Sequence, residues 1–208
     1  HYIMDHSGAS VAITSGGMLA TRIALAASRA TSLHTLIVMD ENFTAPDGMR
    51  QQLLHWHSAI DDAPPLADLD DRIAAQQPDD VCCFIYTSGT GGRPKGVMLT
   101  HRSIQANITA AVELLREGDV VENQRFLSLL PLSHSYEHTA GMHLPFQIRA
   151  EVWYCESTDQ IANNLVEVSP TLMTAVPRLY EVLHDRIMSG VRSKGVISEN
   201  LLMAAVRL

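Results

Sequence analysis

The chain has 208 residues, 46% of them hydrophobic and 18% charged, a composition that supports a buried core and excludes a disordered segment. Its net charge is −8 with no basic stripe, which excludes a nucleic-acid surface built from clustered Lys and Arg. No apolar run approaches the ~18 residues that span a bilayer, and no charged-then-apolar leader opens the chain. Three cysteines, two of them adjacent at Cys82 and Cys83, make no disulfide framework, so a reducing cytoplasm is the expected setting.

The predicted elements alternate. Ser10–Thr14 reads as a short strand, Met18–Ser28 as a helix and His34–Met39 as a β-branched strand, which together make a βαβ unit and imply a parallel sheet. Residues 46–77 read as two helices split by the acids and prolines of residues 61–65, which places His55 and His57 on a helix as packing or surface residues. Val81–Thr87 is a continuous apolar run of the kind buried inside a parallel sheet, and Cys82 and Cys83 fall on its two faces. A strand at Val97–Leu99 follows, then a helix from about Arg102 to Leu115 with Thr100 as N-cap.

The second half repeats the pattern. Arg125–Leu130 is a predicted strand, Tyr136–Gln147 a helix and Glu151–Cys155 a strand. Ser157 and Gln160 form a capping box for a helix ending near Val168. Thr171–Ala175 is a strand stopped by Pro177, and Arg178–Ser189 is a helix. The fold class expected is α/β, a layered parallel sheet with flanking helices.

The chemistry concentrates in Tyr86-Thr87-Ser88-Gly89-Thr90-Gly91-Gly92-Arg93-Pro94-Lys95-Gly96. A strand runs into a turn rich in glycines, which let the backbone take positive φ and approach a ligand closely. Successive N–H groups in such a turn converge on an anion, the hydroxyls add donors, and Lys95 adds a mobile charge for phosphate oxygens. The spacing is neither a Walker A loop nor a dinucleotide fingerprint, because Pro94 stands where each needs glycine.

This segment closely resembles the signature of the adenylate-forming superfamily, Tyr-Thr-Ser-Gly-Thr-Thr-Gly-x-Pro-Lys-Gly, departing from it at Gly91, where the family has Thr. The resemblance implies that Thr87, Ser88, Gly89, Thr90, Gly91, Gly92 and Lys95 bind the β- and γ-phosphates of ATP, with Lys95 and Thr90 catalytic. Leu130-Pro131-Leu132-Ser133-His134 resembles the family's Leu-Pro-x-x-His segment, which implies that His134 is catalytic and lies beside the acid to be activated. Glu137 completes a version found in long-chain acyl-CoA synthetases and is assigned with His134 to the substrate; residues 174–181 resemble a second such segment. Met4-Asp5-His6-Ser7-Gly8-Ala9 resembles the family's approach to its first βαβ unit.

The resemblance implies a ligase that converts a fatty acid, long-chain by these segments, to acyl-AMP and then acyl-CoA, with ATP, Mg2+ and coenzyme A. An aryl- or amino-acid-activating enzyme is the nearest rival. A non-catalytic nucleotide- or lipid-binding module is an alternative of another class, as is a zinc hydrolase built on His134-x-x-Glu137-His138; no metal ligand is assigned. No aromatic-Gly-x-Thr-Glu motif, hinge or catalytic-lysine domain occurs in the sequence, and residues 201–208 form an apolar helical pattern without a stop signal. Residues 1–208 are therefore expected to be a fragment of the AMP-binding N-terminal domain, inactive alone. Peripheral contact with the inner face of a membrane and a homodimer stay open.

Overall fold

The computed structural model describes residues 1–89, 92–118 and 122–192. The chain divides into two compact units, His1–Arg102 and Ser103–Leu208.

The first unit opens with α1 (Tyr2–Ser7), ended by Gly8 at φ 67°, a left-handed position that glycine takes without a Cβ penalty. Strands β1 (Val11–Thr14), β2 (Thr35–Val38) and β3 (Gln52–His55) form a parallel sheet in the order β1-β2-β3. The crossover between the first two strands carries α2 (Gly17–Ala27). Its Ala20, Ala24 and Ala27 recur at helical spacing and are buried, and small side chains let the helix lie close to the sheet. Ala20 and Ala24 join Leu36 and Val38 in a core flanked by Ala12, Ile23, Phe43 and Leu53. The expected βαβ unit is therefore present.

Two expectations in this unit change. The first helix expected after residue 46 is largely replaced by β3, and helix resumes only at α3 (Trp56–Asp61), so His55 ends a strand instead of riding on a helix. Leu53 and Leu54 are too few to distinguish a helical period from a strand. Hydrogen bonding in register with β2, Thr35 opposite Gln52 through Val38 opposite His55, decides the matter. The second helix, α4 (Leu69–Ala75), forms as expected.

Strand β4 (Val81–Thr87) also differs from expectation. It pairs antiparallel with β5 (Lys95–Thr100), and Val81 and Phe84 on it are exposed while Ile85 is buried. A turn of residues 88–94 is long enough to reverse the chain but too short for the crossover that parallel pairing needs. Helix α5 (His101–Glu117) follows directly after Thr100 and buries Ile104, Ile108 and Val112 along one stripe.

The second unit is built on a parallel sheet of β6 (Arg125–Ser128), β7 (Glu151–Tyr154) and β8 (Leu172–Met173), with β6 central in the order β7-β6-β8. The helix expected after β6 is present but not uniform. Glu137–His143 is π-helical and passes directly into α6 (Leu144–Gln147). Helix α7 (Ile161–Val168) is N-capped by Gln160 without a side-chain capping bond, so the capping box expected from Ser157 is not the device used. The loop is closed instead by Asn164, whose Oδ1 accepts bonds from the Glu156 N–H at 3.3 Å and the Cys155 thiol at 3.3 Å. Helix α8 (Pro177–Arg192) starts with Pro177, whose missing N–H costs nothing at a helix's first position. Among the described residues no helix is long and apolar enough to cross a membrane. Residues 201–208 lie outside the described residues.

Candidate functional site

The glycine-rich turn of the first unit is framed by its hairpin. Thr87 and Lys95 face each other in the β4–β5 register, so the last hydroxyl of one strand and the ammonium group at the start of the other flank the mouth of the turn. Thr87, Ser88 and Lys95 are all solvent-exposed, as a site for a soluble anion requires. Gly89 takes φ 46° and Gly92 φ 81°. A Cβ at Gly89 would lie 2.7 Å from the Arg93 carbonyl oxygen, so that position excludes other residues both by conformation and by space. Thr90 and Gly91, also expected to bind phosphate, lie outside the described residues.

Both sides of the turn are braced by α1. The Tyr2 hydroxyl donates to the Pro94 carbonyl at 3.3 Å, and His6 Nδ1 meets the Tyr86 hydroxyl at 2.8 Å. The Tyr86 ring lies over Gly96, where a Cβ would come within 3.1 Å of it. Helix α1 is itself hooked to the loop that leads into β2 by Asp5, whose Oδ1 accepts from the backbone N–H groups of Thr31 at 2.6 Å and Ser32 at 3.0 Å. The Ser32 N–H, then that of Thr31, holds this carboxyl below the ordinary range. The sequence had marked residues 4–9 as a segment of interest but carried no signal that Tyr2 and His6 reach the turn.

In the second unit, His134 lies on the loop that leaves the carboxyl end of the central strand β6, the edge at which open α/β sheets bind ligands. The ring is exposed. Its Nδ1 accepts the Tyr136 N–H at 3.3 Å, its own N–H donates to the Pro131 carbonyl at 2.9 Å, and its carbonyl accepts the His138 N–H at 2.8 Å. With Nδ1 an acceptor, the neutral ring carries its proton on Nε2, which is then the donor available to a ligand.

Glu137 does not face solvent. It is 0% exposed, and its Oε1 accepts the Ser128 hydroxyl at 2.5 Å while its Oε2 accepts the Thr174 hydroxyl. Neither Ser128 nor Thr174 was singled out from the sequence, although Thr174 opens the second long-chain-like segment. The same geometry removes the zinc reading. Glu137 is committed to two hydroxyls, His138 Nε2 lies 3.4 Å from His143 Nε2, and no cluster of three or more His, Cys, Asp or Glu among the described residues could hold a metal ion. The described residues thus supply no cluster of protein ligands for Mg2+ by themselves. Burial, then the neighbouring His138, pushes the His143 imidazole below its ordinary value.

The chain belongs to the AMP-binding enzyme family, which matches residues 1–204. A peroxisomal long-chain acyl-CoA synthetase of Arabidopsis thaliana is 33% identical over 129 residues, 62% of this chain and 18% of that protein. A long-chain-fatty-acid–CoA ligase of Homo sapiens is 35% identical over 150 residues, 68% of this chain and 20% of its own length. A benzoate CoA ligase from Burkholderia xenovorans superposes with a TM-score of 0.61 at 28% identity, covering 86% of this chain and 32% of that one. The O-succinylbenzoate coenzyme A synthetase of Bacillus subtilis, solved with AMP, shares the fold with a TM-score of 0.57 at 18% identity, over 88% of this chain and 43% of that one. The chain spans about a fifth to a third of the curated relatives it matches, from 18% to 31% of their length.

Proposed function

We propose that the protein to which this chain belongs activates a fatty acid with ATP and transfers the acyl group to coenzyme A, and that this chain supplies the grip on the ATP phosphates and one wall of the acid site. The acid's carboxylate attacks the α-phosphate, releasing pyrophosphate and leaving an acyl adenylate; the coenzyme A thiol then displaces AMP. The observation that carries the reading is the hairpin that sets Thr87 opposite Lys95 across a turn in which Gly89 and Gly92 take positive φ. Transfer of charge onto pyrophosphate is the costly feature of the first half-reaction, and fixed donors aimed at the leaving phosphates lower it. Thr87, Ser88, Gly89, Thr90, Gly91 and Gly92 hold the phosphates, and Lys95 neutralises the charge as it develops. His134 presents Nε2–H to the carboxylate, which positions the attacking oxygen. The long-chain preference draws support from the similarity, at 33% and 35% identity, to a long-chain acyl-CoA synthetase and a long-chain-fatty-acid–CoA ligase.

The test is acid-dependent exchange of pyrophosphate into ATP by the full-length protein, across acids from acetate to palmitate, with benzoate and amino acids as controls. Exchange that peaks with long acids supports the fatty acyl reading. A peak at benzoate or an amino acid moves the protein to the aryl- or amino-acid-activating class. ATP binding without exchange for any acid would leave a nucleotide-binding module.

A further inference from the structure

We infer that Glu137 is a positioning residue for the acid half of the site, acting on His134 from inside the protein without touching substrate; this rests on the function proposed above. Three segments meet at its carboxyl group. Ser128 is the last residue of the central strand β6 and is 4% exposed, Thr174 directly follows β8 and is 5% exposed, and Glu137 opens the π-helical segment at 0%. Each carboxyl oxygen takes one hydroxyl, Oε1 that of Ser128 and Oε2 that of Thr174. The carboxyl group therefore joins the carboxyl ends of two neighbouring strands to the start of the helix that follows His134.

Local geometry shows that the helix is shaped around this side chain. The Glu137 carboxyl folds back over Gly141, where any Cβ would overlap its carboxyl atoms. The wide π turn begins at Glu137 itself, and single π turns recur at functional sites because they re-aim the side chains around them. His134 has no deep burial of its own. Its N–H, its carbonyl and Nδ1 all bond within residues 131–138, so the ring's direction is inherited from a turn that Glu137 fastens to the sheet.

Simple stabilisation would be served by an apolar residue, since a buried polar group contributes stability only when every partner is in place. A satisfied polar network does something an apolar contact does not: it admits one geometry and penalises the others. That property matters where the direction of a single N–H decides reactivity, because small misplacements of a catalytic group cost rate steeply.

The experiment uses the full-length protein with Glu137→Gln, His134→Ala and the double variant, and follows exchange together with the melting temperature. Glu137→Gln keeps the shape and one acceptor but must turn an NH2 group toward a hydroxyl. The expected result is an acid KM raised about tenfold with an ATP KM within about twofold of wild type. In the His134→Ala background the same change should add less than about twofold, because the two residues then act through one path. Ser128→Ala combined with Thr174→Val should reproduce the acid-specific defect. A melting temperature close to wild type for Glu137→Gln separates this from loss of folding. A second readout does not depend on turnover: 15N-labelled imidazole spectra should show His134 as the Nε2–H form in wild type and a mixed or exchanging ring in Glu137→Gln. The inference is overturned if acid and ATP KM values move together, if the defects of Glu137→Gln and His134→Ala multiply independently, or if the His134 resonances are unmoved. Wild-type protein that shows no acid-dependent exchange defeats the proposed function instead, while the imidazole spectra still decide the link between Glu137 and His134.

Discussion

His6 Nδ1 and the Tyr86 hydroxyl meet at 2.8 Å across a sequence separation of 80 residues, fastening helix α1 to the strand that feeds the glycine-rich turn. Their rings meet edge to face, with centroids 5.8 Å apart. Tyr2 reaches the other side of the turn through Pro94, so one short helix braces both of its flanks. Replacing Tyr86 by Phe keeps the ring over Gly96 and removes the bond. The pair is solvent-exposed, and an exposed hydrogen bond contributes about 1 kcal/mol at most. The expected effect is an ATP KM raised by no more than about fivefold with an unchanged acid KM, read from exchange kinetics.

Gly89→Ala should be far more damaging than its size implies. The new methyl would stand 2.7 Å from the Arg93 carbonyl oxygen and would need a backbone at φ 46°, so the turn must open to accept it. A strained left-handed position costs on the order of 1–3 kcal/mol. Loss of exchange by about 10- to 10²-fold is expected, with a small decrease in melting temperature because the hairpin strands remain paired. Wild-type activity in this variant would show that the turn does not close on phosphate.

Lys95→Ala should lower exchange by on the order of 10²-fold, the scale seen when one preorganised donor to a developing charge is removed. Lys95 is exposed at the start of β5, so the melting temperature should hold. Lys95→Arg is expected to rescue only partly, since a planar guanidinium fork and a compact ammonium group reach phosphate oxygens in different ways. Full rescue by Arg would indicate that bulk positive charge near the turn is enough.

His143 predicts a pH dependence of stability. Burial and the neighbouring His138 hold its pKa in the folded chain below the ordinary 6.5. As pH falls, the unfolded chain therefore takes up the proton first. The stability this group contributes is present above 6.5 and is lost as pH falls through the folded-state value. His143→Gln should flatten that part of the profile. Urea midpoints at about pH 7.5 and about pH 5.5 check it, with a smaller difference expected for the variant than for wild type. An equal difference in both proteins would place the titration elsewhere.

Hydrophobic pattern along the chain does not specify which strand a segment pairs with. Val81–Thr87 is apolar enough for a buried parallel strand, yet it forms a hairpin with Val81 and Phe84 exposed, because a run of hydrophobic residues does not state which neighbour it will bond. Leu53 and Leu54 were compatible with helix or strand until pairing with β2 chose between them. The π turn at Glu137 has no sequence period of its own, and the segment was legible only as helix. The βαβ unit at Val11–Val38 was legible because its elements are separated by clear breaks and each has the right length.

What the sequence by itself determined is what can be written in a contiguous stretch: the alternation of strand and helix, and a turn in which glycines, hydroxyls and one lysine fall together between Tyr86 and Gly96. Those properties depend on backbone freedom and residue chemistry at neighbouring positions. Only the tertiary structure decided that Thr87 stands opposite Lys95, that His6 braces Tyr86, and that Glu137 turns inward to Ser128 and Thr174. The partners of the inward-facing Glu137 lie 9 and 37 residues away, and their meeting depends on which strand edges align, a choice made by hydrogen bonding and burial across the whole unit.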